Sequence, residues 1–311
     1  MAFLSGTSLI AGDDGPRAAL APLVAAGAAF RPPRAGDRAL VVGTSQSNSG
    51  FAEEIEARRL AARLGLPIAC VEDFPGNYRD VEEAPTRLLV VEAEFSRALY
   101  AARFGGDAPP IQVIAPARYD ALRGPRRARP ENPPPQAVLW AGQPETEACL
   151  ATLDALSAFL AQPDVLLLFR SHPRDPGVAT GAYRSLLSGL RHIDVSGEPL
   201  AQSLARPLRL VLTQYSSVAV EAGFLGVPSV HVLLPAAGEA LLYAQKGYRV
   251  PMPCAAGASF LVRDRREIRT LDRALRDDAA RSDVMAKFRA LYAADTPQGN
   301  RLCTAIAGIM P

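Results

Sequence analysis

Short apolar runs alternate with segments of helical periodicity along most of the chain. In the first half, the apolar runs predict strands at Phe3–Ile10, Ala39–Gly43, Pro67–Val71, Leu88–Glu92 and Ile111–Ile114. Apolar residues at helical spacing predict helices at Arg17–Ala26, Phe51–Leu64 and Glu94–Phe104. This repeated strand–helix–strand order predicts an α/β domain with a largely parallel sheet and helices on both faces.

The same alternation begins again in the second half. The predicted strands are Ala137–Ala141, Val165–Arg170, His192–Val195, Leu208–Leu212, Ser229–Leu233 and Phe260–Val262. The predicted helices are Glu145–Ala161, Gly181–Leu190, Ser217–Leu225, Arg265–Arg276, Ala279–Tyr292 and Asn300–Ile309. Two Rossmann-like domains with parallel sheets are therefore expected, facing across a cleft in which ligands bind at the carboxyl ends of the strands.

A proline-rich segment, GPRRARPENPPPQ, separates the two series. Five of its 13 residues are proline, which opposes regular pairing and stiffens the chain. The pattern predicts an N-terminal domain over residues 1–123, a linker over 124–136 and a C-terminal domain over 137–311. The arginines of the linker, Arg126, Arg127 and Arg129, either contact a phosphate or an anionic surface or are simply solvated.

Composition narrows the function classes. The 311 residues carry a net charge of +2, which does not favour a nucleic-acid-binding protein held by bulk electrostatics. The four cysteines are far apart and do not form a CxxC pair, so a zinc site or redox motif is not expected. No DxD-like pair follows an apolar strand, so neither a metal nor a cofactor is predicted. We find no signal peptide and no run of roughly 20 apolar residues, and we expect a soluble, cytoplasmic protein.

The segment LRLVLTQYSSVAVEAGFLGVPSVHV predicts a buried strand that leads through a polar turn into a helix. Ser216 or Ser217 occupies the position of a helix cap, where free N–H groups and the hydroxyls can bind a phosphate. Glu221 lies one helical turn further on the same face and can accept hydrogen bonds from a ribose diol. The alternative is an ordinary capped helix with a solvated glutamate.

The segment VLLLFRSHPRDP places a histidine at the carboxyl end of a predicted strand. Pro173 excludes a helical conformation for His172 and so fixes the turn. The imidazole can hydrogen-bond a phosphate or protonate a leaving oxygen, and Arg170 or Arg174 can add positive charge. The alternative is a turn histidine that binds no ligand.

These two segments together resemble the donor domain of GT-B glycosyltransferases over residues 137–233. The pattern is His172-Pro173 followed by Ser216-Ser217-x-x-x-Glu221-Ala222-x-x-x-Gly226-x-Pro228. It is similar to capsule sialyltransferases, CDP-glycerol glycerophosphotransferases and the UDP-GlcNAc 2-epimerase-like group. The resemblance implies that His172, Ser216 and Ser217 bind the donor's phosphates and that Glu221 binds its ribose.

The resemblance also implies the reaction. A sugar would move from a UDP-, CMP- or CDP-type donor, without a metal, to a carbohydrate or lipid-linked acceptor in bacterial surface-polysaccharide or glycolipid synthesis. Neither nucleic acid nor a transmembrane segment is expected as part of this function, although peripheral membrane contact stays open. The last helix would cross back to the first domain, as in other GT-B proteins.

The first half has a small-residue loop of its own, VVGTSQSNSGFAEE, which is neither a P-loop nor a GxGxxG fingerprint. Gly43 would let a ligand approach the backbone, and the hydroxyls of Thr44, Ser45 and Ser47 can bind sugar oxygens or phosphate. Together with the later acidic turn that ends in NYRD and contains Asn77, this loop resembles N-terminal domains of polysaccharide-biosynthesis proteins. The resemblance implies that this half faces the acceptor or the reacting sugar.

A sugar transfer also needs a base for the acceptor hydroxyl. Asp73 is the predicted catalytic base, and Glu53 and Glu54 are the other candidates. The alternative for Asp73 is a residue that only forms a turn. The alternative for Glu53 and Glu54 is that they are ordinary acidic residues in the first turns of a helix, which the helix dipole favours. A nucleotide-sugar epimerase and a non-catalytic sugar-nucleotide-binding or assembly module are the competing functions.

Overall fold

The computed structural model describes residues 3–123 and 136–311 of the chain. Contacts divide the chain into two compact units. The first unit is Met1–Arg123 with Asp295–Pro311, and the second is Gly124–Ala294. The predicted linker arginines Arg126, Arg127 and Arg129 lie outside the described residues.

The first unit is a parallel sheet flanked by helices. Its strands are β1 (Thr7–Ile10), β2 (Ala29–Phe30), β3 (Ala39–Gly43), β4 (Ile68–Val71), β5 (Leu88–Val91) and β6 (Ile111–Val113). Its helices are α1 (Asp14–Ala25), α2 (Asn48–Arg63), α3 (Glu94–Phe104) and, at the end of the chain, α13 (Gly299–Ala307). Short 3₁₀ turns cover Gly105–Asp107 and Ala117–Leu122.

The strands of this unit are arranged in the order β2-β1-β3-β4-β5-β6, and all pairs are parallel. The strands β1, β3, β4 and β5 are buried along their whole length, which explains their uninterrupted apolar sequences. The direction of winding reverses between β1 and β3, so the loops that leave these two strands flank the topological switch point.

The second unit is built on the same principle, with helices flanking a sheet. Its strands are β7 (Gln136–Ala141), β8 (Val165–Arg170), β9 (His192–Asp194), β10 (Leu208–Thr213), β11 (Ser229–Val232) and β12 (Phe260–Val262). Its helices are α4 (Thr146–Leu160), α5 (Gly177–Thr180), α6 (Arg184–Ser188), α7 (Leu200–Ala205), α8 (Val218–Phe224), α9 (Ala240–Lys246), α10 (Met252–Ala255), α11 (Arg269–Arg276) and α12 (Asp278–Leu291). A π-helical turn covers Pro235–Glu239, and a 3₁₀ turn covers Arg265–Ile268.

The second sheet is also parallel, with the order β12-β11-β10-β7-β8-β9. Counted from β7, this is the 3-2-1-4-5-6 order of Rossmann sheets, and its switch point lies between β7 and β10. The predicted fold class, α/β with two Rossmann-like parallel sheets, is confirmed. Within the described residues, no helix is long and apolar enough to cross a membrane.

The C-terminal helix α13 packs against the first unit. Leu302 and Ile306 are buried in the same apolar cluster as Leu20 and Leu23 of α1. The backbone N–H groups of Gln298 and Gly299 donate hydrogen bonds to Asp120 of that unit. Residues 295–311 belong to the first unit, where the apolar face of α13 is buried.

Two predicted elements differ from the structure. The strand predicted at Phe3–Ile10 begins only at Thr7, because the chain turns at Gly6, which has a φ of +80°. The helix predicted at Gly181–Leu190 is shortened to α6, since Gly181 adopts a left-handed conformation that ends the preceding helix α5.

Candidate functional site

The second unit brings its predicted residues to one edge of the sheet. His172 follows the carboxyl end of β8, and Ser216 and Ser217 follow the carboxyl end of β10. These two strands are the immediate neighbours of β7 on either side. The loops that follow β8 and β10 therefore lie near the switch point, where open α/β sheets bind their ligands.

The turn from β10 into α8 is held by hydroxyl groups. Thr213 Oγ1 donates to the carbonyl of Ala141, 2.8 Å away, and accepts the N–H of Ser216 at 3.2 Å. Ser216 Oγ accepts the N–H of Val218 at 3.3 Å. Ser217 is the residue that caps α8, and both serines are half-buried. Ser217 thus occupies the cap position, whereas the side-chain hydrogen bond to the start of the helix comes from Ser216, one residue earlier.

Glu221 lies one helical turn beyond the cap, in the first turn of α8. Its backbone N–H donates to the carbonyl of Ser217 at 3.2 Å, so the two residues share a face of this short helix. Its side chain is half-buried rather than enclosed. This position is compatible with the predicted contact to a ribose, which stays a prediction.

The imidazole of His172 has a defined tautomer in its neutral form. Its Nδ1 accepts the backbone N–H of Arg174 at 3.1 Å, so the ring proton is carried by Nε2. Burial lowers the pKa of His172, and the charge of Arg174 lowers this pKa further. The ring is therefore a neutral donor at pH 7, able to give its Nε2–H to a phosphate oxygen.

The two arginines near His172 differ in position. Arg170 Nη1 donates to the carbonyls of Val195 and Glu198 and to Ser203 Oγ, so it anchors the segment after β9. Arg174 is exposed in the turn. Of the two, Arg174 alone is placed to add charge for a ligand.

Gln143 was missed by the sequence analysis. Gln143 follows β7 at the switch point and is only 6% exposed to solvent. Its Nε2 has no hydrogen-bond partner among the described residues. The thiol of Cys149 in α4 accepts a hydrogen bond from the backbone N–H of Gln143 and donates one to its carbonyl. Buried polar atoms without partners are rare, which makes the Gln143 amide a further candidate for ligand binding. The position directly after a buried strand was the signal that could have identified it.

In the first unit, the loops at the switch point bind each other through a carboxylate. Asp13, just beyond β1, accepts the backbone N–H groups of Gln46 and Ser47, both at 2.9 Å, and the hydroxyl of Ser47 at 2.5 Å. Ser47 Oγ also accepts the N–H of Gly50 and so caps α2. Of the three hydroxyls that the loop was predicted to offer to a ligand, that of Ser47 is therefore bound to Asp13.

The predicted base lies at the same edge. Asp73 Oδ1 accepts hydrogen bonds from Thr44 Oγ1 at 3.1 Å and from Asn77 Nδ2 at 2.8 Å. Thr44 and Asn77 are buried, whereas Asp73 is half-exposed. The structure brings these three predicted residues together, and it directs Thr44 and Asn77 towards the carboxylate of Asp73.

Gly43 has a packing role. A Cβ at this position would lie 2.6 Å from Cβ of Pro16, in the first turn of α1. The space beside Gly43 is thus filled by the protein itself. The proposed approach of a ligand to this glycine has no support in the packing.

The two glutamates considered as bases are separated clearly by burial. Glu53 is exposed, whereas Glu54 is 4% exposed and accepts the N–H of Ser45 at 2.6 Å. Burial raises the pKa of Glu54 to about 7, and repulsion from Asp73 and Asp13 contributes in the same direction. Glu54 is therefore a carboxyl group that titrates near neutrality.

Further acidic residues follow β4 and β5. Glu72 is buried and accepts hydrogen bonds from Tyr100 Oη at 2.6 Å and from two backbone N–H groups. Glu92 pairs with Arg118 at 2.8 Å, and burial raises the pKa of Glu92 to about 8 while the guanidinium opposes that rise. Glu72, Glu92 and Arg118 line a small cavity with apolar residues from α1 and α13.

Tyr78, the tyrosine of the NYRD turn, belongs to the core. It is fully buried against Tyr100 in an edge-to-face contact, and its hydroxyl donates to Asp80.

Within residues 3–123 and 136–311, no group of three or more His, Cys, Asp or Glu residues could hold a metal ion.

Comparison with solved structures identifies the fold. No family model and no curated protein matches the chain. Similar structures include the UDP-GlcNAc 2-epimerase of Methanocaldococcus jannaschii, with a TM-score of 0.60, 13% identity and coverage of 97% of this chain and 99% of that one. CalG4, the calicheamicin glycosyltransferase, has a TM-score of 0.57, 16% identity and coverage of 98% of both chains. MurG of Acinetobacter baumannii has a TM-score of 0.57, 14% identity and coverage of 97% and 99%. The chain has the GT-B fold.

Proposed function

We propose that this protein is a metal-independent glycosyltransferase that uses a nucleotide-activated sugar. The observation that carries the proposal is the placement of His172, Ser216 and Ser217 beside the Rossmann switch point of the second unit. The GT-B fold, shared with glycosyltransferases over nearly the whole chain, supports the same conclusion. Because one fold hosts several chemistries, the activity itself rests on the site residues.

In this proposal the second unit binds the donor. The Nε2–H of His172 and the hydroxyls of Ser216 and Ser217 donate to the phosphate oxygens, and Glu221 accepts hydrogen bonds from the ribose. Neutral donors suit this task, because they stabilise the negative charge that grows on the departing phosphate as the bond to the sugar breaks. The donor is of the UDP, CMP or CDP type.

The first unit supplies the base. Asp73 takes the proton of the acceptor hydroxyl while that oxygen forms its bond to the anomeric carbon of the sugar. The hydrogen bonds from Thr44 and Asn77 hold Asp73 Oδ1 in position. We assign the acceptor to the carbohydrates or lipid-linked carbohydrates of bacterial surface-polysaccharide or glycolipid synthesis, and the cytoplasm as the site of the reaction.

Calorimetry with UDP, CMP, CDP, GDP, ADP and UDP-GlcNAc tests the donor site. We expect micromolar binding of one base type, weakened in His172→Ala and in the Ser216→Ala/Ser217→Ala double variant. Each lost phosphate contact should cost about 1.5–3 kcal/mol, roughly ten- to a hundred-fold in affinity. His192→Ala is the matched control, because His192 is an exposed histidine on β9 of the same unit.

Two results would contradict the proposal. If a folded protein binds none of these nucleotides, the donor site is wrong. If His172→Ala and His192→Ala bind equally well, His172 does not contact the phosphates.

An epimerase acting on the same class of nucleotide sugar is the second candidate. It is favoured by the structural similarity to an epimerase and by Glu54, a carboxyl group beside the switch-point loop of the first unit whose pKa of about 7 suits proton transfer near neutral pH. Inversion at a carbon that carries hydrogen breaks a C–H bond, whereas transfer at the anomeric carbon does not. Incubation with UDP-GlcNAc in D₂O without acceptor therefore separates the two: deuterium in the recovered sugar indicates the epimerase.

A further inference from the structure

A buried carboxylate lies directly behind the turn that carries His172. Asp175 is 6% exposed and accepts hydrogen bonds from Thr146 Oγ1, from Tyr183 Oη at 2.5 Å and from the N–H of Gly177 at 2.8 Å. Thr146 begins α4, and Tyr183 immediately precedes α6. The carboxylate thereby joins the turn to two helices.

The backbone of Asp175 continues this connection to the histidine. Its N–H donates to the carbonyl of His172 at 2.9 Å. Close packing leaves the turn little freedom, because a Cβ on Gly177 would lie 2.4 Å from Cγ2 of Thr146. A change at Asp175 must therefore alter the path of the turn or leave a buried donor without its acceptor.

The conformation of this turn determines which nitrogen of His172 carries the proton. Nδ1 accepts the N–H of Arg174 only while the chain from 172 to 175 keeps its present course. Glu145, Arg174 and Asp175 are the charged groups that act on the ring. With Nδ1 occupied, Nε2–H is the group available to a ligand.

We propose that Asp175 is a positioning residue, which fixes the direction and tautomer of His172 for phosphate binding without contacting the ligand. This inference rests on the proposed function for its effect on nucleotides. Its effect on the ring itself is present without a ligand.

The first experiment reads the ring in the ligand-free protein. Nitrogen-15 NMR of His172 should show the neutral Nε2–H form in the wild type and a mixture of tautomers in Asp175→Asn. Tyr183→Phe removes one of the three donors and should give a smaller change, which keeps the test informative if Asp175→Asn folds poorly. Asp194→Asn is the control, because Asp194 is an exposed aspartate that accepts one local backbone N–H.

The second experiment measures coupling. Asp175→Asn should weaken nucleotide binding about ten-fold in the wild type and hardly at all in a His172→Ala background. Equal loss in both backgrounds would mean that Asp175 acts only through stability, and an unchanged tautomer in both Asp175→Asn and Tyr183→Phe would overturn the inference. If no nucleotide binds at all, the proposed function fails while the NMR result still decides the role of Asp175.

Discussion

Replacing Glu54 with Gln should make the first unit more stable at neutral and alkaline pH. The native fold encloses the side chain of Glu54, and burial raises its pKa from the ordinary 4.5 to about 7. Glutamine keeps an oxygen for the N–H of Ser45 but carries no charge. The substitution thus removes the ionisation while keeping the hydrogen bond.

The sign and size follow from proton linkage. Below pH 4.5 the carboxyl is protonated in both folded and unfolded chains, and it has no effect on stability through ionisation. Between pH 4.5 and 7 the folded chain holds the proton more tightly, so the free energy of unfolding falls as the pH rises. The loss is complete above pH 7 and amounts to about 3 kcal/mol, at roughly 1.4 kcal/mol per pKa unit. Glu54→Gln should recover that amount at pH 8 and little at pH 4.

Urea-dependent hydrogen exchange at the amides of β3 and β4 measures the opening of the first unit. Fluorescence of Trp140, the single tryptophan, follows the second unit and should be unaffected by the substitution. Glu53→Gln is the matched control, because Glu53 is the exposed neighbour on the same helix. Parallel pH profiles for the wild type and Glu54→Gln would refute the reasoning, since a solvated carboxyl does not couple to folding in this way.

Three further substitutions test the site and the packing. Asp73→Ala should abolish turnover while calorimetry shows unchanged nucleotide affinity; turnover that survives would remove Asp73 as the base. Gly223→Ala should destabilise the second unit by about 1–3 kcal/mol, because the new Cβ would lie 2.3 Å from the ring of Phe288. Urea unfolding followed by Trp140 fluorescence measures this loss. Gly197→Ala is the control, because a Cβ at Gly197 would have no atom within 4 Å. Ile306→Ala should cost the first unit about 2–5 kcal/mol, read by exchange in β3, since this fully buried side chain lies in its apolar cluster.

The order of elements could be predicted because the strands of parallel sheets are buried on both faces. Runs such as Val165–Arg170 and Ala39–Gly43 have no polar interruption, and the structure has strands at the same bounds. The positions of His172 and Ser216 followed from the same rule, since each comes directly after such a run. Sequence reasoning succeeded where one local pattern determined the position.

It was less informative where two distant segments meet. The loop Thr44–Ser47 has the composition of a ligand-binding loop, and no local pattern shows that Asp13, some thirty residues earlier, occupies its N–H groups. Likewise, Glu53 and Glu54 are equivalent as neighbours in sequence, and only the packing of α2 on the sheet buries one of them. Tertiary contacts, which one sequence does not encode locally, decide such cases.

The contrast between the two sheet edges bears on which unit receives the phosphates. In the first unit, Asp13 already binds the loop N–H groups that would otherwise hold an anion, and Asp73 adds a second carboxylate nearby. A phosphate there would have to displace the carboxylate of Asp13 and approach the carboxylate of Asp73. In the second unit, the edge presents the Nε2–H of His172 and the hydroxyls of two serines. This difference supports the proposal that the second unit binds the phosphates and that the first unit binds a hydroxyl group that a carboxylate can deprotonate.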